Sequence, residues 1–326
     1  YSRTKHGREL NITERQSYSH FARHIPLQTY ETLRPMIERM QQGEADVLWP
    51  GQCSRYARTS GVTNGQPKLV PITEEMLQHL QHATRTTVLY YTSRVGHAGI
   101  FRGRHLFHNH TSARLQPLKT SEKFKAYEGS IAGITALNLP TWLEKHFYEP
   151  GESIARIEDP RERRRAVAKR TRHRDITLLG GNPHQLLKLA SSICKAATKG
   201  KAKPLNLQGV WPNLECVVHG GEPLGISGSK LHHICGSELQ FHEVYSAAEG
   251  VIAAQDSETK HGLRLITDAG IFYEFLPYSY YHEDRLALCA NHVIPLAKVK
   301  TGVDYVLIMS TPAGLCRYVS GDIVRF

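Results

Sequence analysis

The sequence predicts an α/β fold, and three observations carry that prediction. Apolar residues recur at helical spacing through roughly the first two thirds, short β-like runs crowd the last third, and turn signals separate them without a low-complexity linker. At 326 residues, 40% hydrophobic and 22% charged, the composition is ordinary globular usage with enough chain for a substantial core. Disordered and fibrous classes are thereby excluded. No internal repeat is visible, so one large unit spanning residues 1–326 is expected. The opening YSRTKHGREL lacks the apolar stretch of a secretory signal, and no run of about eighteen apolar residues occurs. A soluble, cytoplasmic protein whose native N-terminus lies upstream of Tyr1 is the expectation. Cys53, Cys194, Cys216, Cys235, Cys289 and Cys316 are scattered without a CxxC pair, which points to reduced thiols.

Taken in order, Tyr30, Leu33, Ile37 and Met40 predict a helix that Gly43 stops. A second helix is expected after Thr73, whose hydroxyl suits an N-cap, with Glu74 and Glu75 in the first turn and Leu77, Leu80 and Val88 in its buried stripe. Asp159-Pro160 opens a third, whose stretch from Arg161 to Arg174 is dense in Arg and Lys. That run supplies much of the formal charge of +11. No aromatic residues interleave it as single-strand stacking would require, so it reads as a solvated helix face, with neither a nucleic-acid nor a membrane partner. A fourth helix begins at Asn182-Pro183, carries Leu186, Leu187, Leu189, Ala190 and Ile193, and ends at Gly200. From Leu214 the runs ECVVH, LQFHEVY, GVIAAQ, IFYEFL, YVLIMS, LCRYV and DIVRF read as strands.

The most informative segment runs from Arg58 to Thr73, RTSGVTNGQPKLVPIT. A polyphosphate needs close backbone approach, free amides, hydroxyl donors and a cation, and this stretch offers all four. It is not a Walker loop, because Gly61, Gly65 and Lys68 violate GxxxxGK[ST]. Asn64-Gly65 is equally a type I′ hairpin signal, so the residues alone leave a hairpin and a phosphate loop even.

The segment resembles the Ser/Thr-Ser-Gly-Thr-x-x-Gly-x-x-Lys loop of the adenylate-forming superfamily, and its continuation to Thr73 resembles the auxin-responsive acyl acid amido synthetases. Other motifs follow in that family's order. WPNLECVVHGGEPLG, from Trp211 to Gly225, is similar to a strand ending in a glycine pair beside adenine. EVYSAAEG, from Glu243 to Gly250, resembles the Tyr-x-x-Ser-Glu motif, and GLCRYVSGDIVRF, from Gly314 to Phe326, resembles the motif whose aspartate grips the ribose. FYEFLP, from Phe272 to Pro277, and TPAGL, from Thr311 to Leu315, also fit. The resemblance implies the large domain of an adenylate-forming enzyme, with β-sheets flanked by helices, a small β-barrel-like part, and the smaller C-terminal domain absent from this chain.

It also implies residue roles. Thr59, Ser60, Gly61, Thr63, Asn64, Gly65 and Lys68 would surround the ATP phosphates. Gly220 and Gly221 would lie against the adenine, with Tyr245, Ser246, Ala247 and Ala248 along its edge. Glu249 would hold Mg2+, and Asp322 would accept from the ribose diol. Lys68 and Glu249 are the catalytic candidates. Two hydroxyls expected of the family are missing, since Val62 replaces a Thr of the phosphate loop and Ala248 replaces the Ser before the metal carboxylate.

The implied activity is a ligase that adenylates a small carboxylic acid at the expense of ATP and passes the acyl group to an amino acid. The alternatives are a thiol acceptor, or a degenerate homologue that binds nucleotide without turnover. Tyr90, Tyr91, Ile100, Phe101 and Phe107, with Arg94, Arg102 and Arg104, are the expected source of an acid-binding cleft, most of the aromatics belonging to the core and the choice among them staying open.

Overall fold

The computed structural model of the chain describes all residues except 64–65, 109–111, 121–122, 199–205, 223, 237 and 259–260, and leaves out the side chains of 60–66 and 226–227. Among the described residues a seven-stranded sheet forms the centre. Its order is Arg264–Leu265, Gly250–Ala254, Gln240–Ala247, Cys216–Gly220, Ile176–Gly181, Arg104–His108, Tyr148–Glu149. The last five run parallel, and the first two add an antiparallel edge. Parallel neighbours need crossovers, and the helices Pro183–Ala197 and Gly225–Cys235 supply two of them. Leu186, Leu189, Ala190 and Ile193 of the first pack with Val217, Trp211 and Leu231 in one buried cluster.

Two four-stranded sheets flank the centre. One has the order Gln66–Pro71, Arg55–Thr63, Tyr127–Gly129, Gln116–Pro117. The other, in the last third where a small barrel-like part was expected, has the order Ile294–Pro295, Phe272–Pro277, Asp304–Ser310, Tyr318–Arg325. A core cluster joins the flanking sheets, running from Leu33 and Ile37 through Tyr56, Val70 and Met76 to Leu315 and Tyr318.

The helix signals act as expected where they are local. Tyr30, Leu33, Ile37 and Met40 are the buried residues of the helix Tyr30–Gln41. The Thr73 hydroxyl accepts from Met76 N at 3.0 Å and opens Glu74–Val95, which Gly96 ends at φ +76°. Val88 is only partly buried, against Tyr91 and Ile100. Asn182 caps Pro183–Ala197, which closes at Thr198; the expected stop, Gly200, lies outside the described residues.

Two expectations are corrected. The basic helix Pro160–Thr171 is not simply a solvated face: Arg163 is buried, and Arg170 and Arg174 join Arg104 around the fully buried Glu149, at 2.5, 3.7 and 2.7 Å. A carboxylate taken out of water needs such partners. The runs LCRYV and DIVRF do not form two strands. Residues 318–325 are one strand, interrupted between Val319 and Ile323 by a bulge that carries Gly321 at φ +87°.

Candidate functional site

The strand Arg55–Thr63 pairs antiparallel with Gln66–Pro71, so the hairpin and phosphate-loop readings fall on one element. Arg58 pairs with Leu69 and Val62 with Pro67, which sets Thr59, Ser60 and Gly61 against Lys68 alone. Such an interruption takes residues out of the ladder and turns backbone amides outward, the arrangement an anion requires. Asn64 and Gly65 lie outside the described residues, as do the side chains of Ser60, Val62 and Thr63. Lys68 is fixed from two directions. Its Nζ donates to the Tyr318 hydroxyl at 3.4 Å and sits 5.8 Å from the centroid of the Tyr30 ring. The Tyr30 hydroxyl accepts from Leu69 N at 2.7 Å, which ties the helix to the lysine's strand.

From the central sheet comes the hairpin of Gln240–Ala247 and Gly250–Ala254, with Ala248 and Glu249 at its tip. The buried His79 holds this tip: Val251 N donates to Nε2 at 3.0 Å, so Nδ1 carries the proton and donates to Ala269 O at 2.7 Å. Gly250 must be glycine, because a Cβ there would lie 2.5 Å from Ile271 Cδ1 and 2.9 Å from His79 Nε2. Glu249 is buried, Tyr245 half-buried and Ser246 exposed. Ala247 and Ala248 are partly buried, each against a different core cluster.

The third sheet contributes Asp322, exposed on the bulge of Tyr318–Arg325. Ser320 steadies that bulge by donating to Leu307 O at 3.0 Å and accepting from Asp322 N at 3.1 Å. The bulge aims Asp322 at Tyr245, whose hydroxyl donates to Asp322 Oδ2. Lys68, Tyr245, Glu249 and Asp322, drawn from three sheets, therefore stand together. Burial pushes the Glu249 acid up and Asp322 pushes it the same way, while Lys68 and the Tyr318 hydroxyl draw it back. Burial and the neighbouring carboxylate likewise push the Tyr245 and Tyr318 phenols up.

Gly220 ends the strand Cys216–Gly220 and pairs with Val244, next to Tyr245. Its bareness has a structural cause, since a Cβ would fall 2.2 Å from Val244 O. Gly221 turns the chain at φ +81° with open space around it. These residues crown the C-terminal ends of the parallel strands, where open α/β sheets bind ligands.

Sequence reasoning missed Tyr318, Tyr30 and His79. Tyr318 stood inside the RYVSGD segment that singled out Asp322. The residues named as a source of the acid cleft divide. Tyr91 and Ile100 are core, Arg94 is committed to Gln240 and Phe241 O, and Arg104 to Glu149 and to backbone carbonyls. Of the nominated residues Phe107 lines a cavity, ≈ 30 Å³ in volume, together with His108, Ala132, Gly133, Ala136 and Tyr148. It adjoins the end of Arg104–His108, two strands from Gly220 and hence about 10 Å across the sheet at the usual strand spacing.

No cluster of three His, Cys, Asp or Glu able to hold a metal occurs among the described residues. One buried carboxylate, Glu249, lies beside the proposed phosphate strand. Magnesium keeps most of its water and phosphate ligands and asks one or two carboxylates of the protein.

The fold is shared with solved ligases that include an acyl acid amido synthetase and an acyl-CoA ligase. The chain matches the solved structure of the GH3.15 acyl acid amido synthetase over 99% of its length and 63% of that chain, with a TM-score of 0.70 at 18% identity. It matches 2-hydroxyisobutyryl-CoA ligase, solved with 2-HIB-AMP and CoA, over 98% of its length and 63% of that chain, with a TM-score of 0.56 at 15% identity. Residues 1–166 match the GH3 family N-terminal domain and residues 264–326 the GH3 family central domain, so the chain belongs to the GH3 family. The indole-3-acetic acid-amido synthetase GH3.2 of Arabidopsis thaliana is 24% identical over 94% of this chain and 65% of that protein. The chain thus spans less than two thirds of the length of these relatives.

Proposed function

We propose that this chain forms the nucleotide- and acid-binding part of an ATP-dependent ligase that activates a carboxylic acid as its adenylate and transfers the acyl group to an amino acid amine. The observation that supports it most is the convergence of Lys68, Tyr245, Glu249 and Asp322 from three sheets. In this reading the chain is one large nucleotide- and acyl-binding domain over residues 1–326, to be completed by a smaller C-terminal domain. The residues Thr59, Ser60, Gly61, Thr63, Asn64 and Gly65 cradle the phosphates, and Lys68 offsets their charge. Tyr245 and the strand end at Gly220 and Gly221 flank the adenine. Asp322 keeps Oδ1 for the ribose diol while Oδ2 accepts from Tyr245.

Glu249 would hold Mg2+, which would supply charge neutralisation at the phosphates. The chain's own work is positioning and the exclusion of water. In this reading the acid is bound beside the strand ends, where its carboxylate can reach the α-phosphorus. Attack there breaks the α–β phosphoanhydride bond, releases pyrophosphate and leaves an acyl-adenylate, from which the amine displaces AMP. A thiol acceptor is the second reading, favoured by the CoA ligase among the structural matches. The six cysteines are buried and in no disulfide, which supports a cytoplasmic enzyme; no helix of the described residues is long and apolar enough to cross a membrane.

The test is binding first, then exchange. Millimolar MgATP or AMP is expected to raise the melting temperature by mass action, and the protein carrying its C-terminal domain to exchange labelled pyrophosphate into ATP only when an acid is present. Unchanged melting and a flat calorimetric titration with both nucleotides refute the site. Comparing amines and CoA as acceptors in a product assay separates the two readings.

A further inference from the structure

Tyr318 is buried at 1% exposure, yet its hydroxyl stands between the two charged groups of the site. It accepts from Lys68 Nζ at 3.4 Å, and it and the Glu249 carboxylate act on one another's proton affinity. A phenol accepts and donates at once, so one oxygen can hold the ammonium and the carboxylate at fixed separation. Its surroundings allow little movement. The ring belongs to the core cluster with Tyr30, Leu69 and Leu315, Val319 N donates to Gln28 O at 2.9 Å, and the preceding Arg317 is clamped by Glu274 at 2.9 Å. The neighbouring position 248 is Ala and offers no hydroxyl.

Resting on the reading that Lys68 meets phosphate and Glu249 meets magnesium, we infer that Tyr318 is a positioning residue that sets the Glu249 carboxylate and the Lys68 ammonium for the metal–triphosphate unit. In this role it acts on the metal–triphosphate unit and not on the nucleoside or the acid. Its removal should therefore be felt in the Mg2+ dependence of ATP binding and not in the binding of AMP.

The experiment is calorimetric titration of the whole chain with ATP over a series of Mg2+ concentrations, and with AMP in chelator, for wild type, Tyr318→Phe, Glu249→Gln and the double variant. Tyr318→Phe keeps the ring and loses one atom. It should weaken MgATP binding about tenfold or more, the scale of one hydrogen bond to a charged group, and shift the Mg2+ requirement upward. AMP affinity should stay within about twofold, because Tyr245 and Asp322 are untouched. Because part of its action runs through Glu249, the double variant loses less than the sum of the two single losses. Additive losses, or an equal fall for AMP, overturn the inference. Thermal unfolding recorded alongside shows whether Tyr318→Phe folds. Should it not, Glu249→Asp, which draws the carboxylate back by one methylene, must reproduce the raised Mg2+ requirement, and failure to do so also overturns it. ATP binding by wild type that ignores Mg2+ would instead sink the function proposed above.

Discussion

Acid should unfold this protein through two histidines of the central sheet, His219 on Cys216–Gly220 and His242 on Gln240–Ala247. Both are buried, at 3% and 0% exposure, and burial lowers each from an ordinary 6.5 to about 4, with His232 pressing on the first and Arg94 on the second. Below an unfolded value of 6.5 the unfolded chain takes up protons that the folded chain refuses. The slope of stability against pH is then positive between about 4 and 6.5, so stability is full above 6.5 and falls as the medium is acidified. Between about pH 7 and about pH 5 each ring costs about 2 kcal/mol, and the pair roughly 4 kcal/mol if they titrate independently. For a chain of this size that is a fall in Tm of roughly 5–10 °C. Carboxylates held low by partners, such as Glu44 at about 2 beside Arg39, release their stability only at lower pH. Scanning calorimetry across that range, on wild type, His219→Phe and His242→Phe, is the assay. Phenylalanine preserves an aromatic edge for Tyr91, whose ring packs on His242 at 5.6 Å. Each variant should flatten the slope by about half. Two variants with the wild-type slope would refute burial of neutral imidazoles as the source of acid sensitivity.

Two further outcomes are expected. Asp322→Ala and Tyr245→Ala should each weaken AMP about tenfold, whereas Lys68→Ala should weaken ATP more than AMP; calorimetry with both nucleotides decides, and equal losses in all three break the assignment. Glu149→Gln should cost about 3–5 kcal/mol in denaturant unfolding, because it leaves Arg104, Arg170 and Arg174 around an uncharged group, and a loss below about 1 kcal/mol would mean those arginines find water instead.

The helices were legible because their signals act within a turn or two: Thr73 and Asn182 cap through their own hydroxyl or amide, and the buried residues of Tyr30–Gln41 are those its spacing marks. The Ser320-Gly321-Asp322 segment was ambiguous for the same reason in reverse. A glycine at φ +87° followed by aspartate suits a turn and a bulge equally, and only pairing with Asp304–Ser310 decides between them. The basic helix misled because Glu149 lies far from it in sequence, so nothing local shows that Arg170 and Arg174 have a buried partner.

The site divides along the same line. Each motif is a strand end or a hairpin, and a strand end can be read one segment at a time. What one segment does not contain is the meeting of Lys68, Glu249 and Tyr318 across three sheets, nor His79 reaching from its helix to fix the Glu249 hairpin. Gly220 shows that a bare position can have a second cause. A bare residue beside a base is a reasonable assignment, yet the contact that forbids a side chain there is Val244 O at 2.2 Å, an ordinary consequence of strand spacing. Replacing Gly220 with Ala would therefore disturb the strand pair before it met any nucleotide. The roles of Gly220 and Gly221 are then separable, since a Cβ on Gly221 would meet nothing nearer than Asn182 Nδ2 at 3.9 Å and strain at φ +81° alone opposes it. That leaves Gly221 as the glycine whose surroundings have room for a flat base.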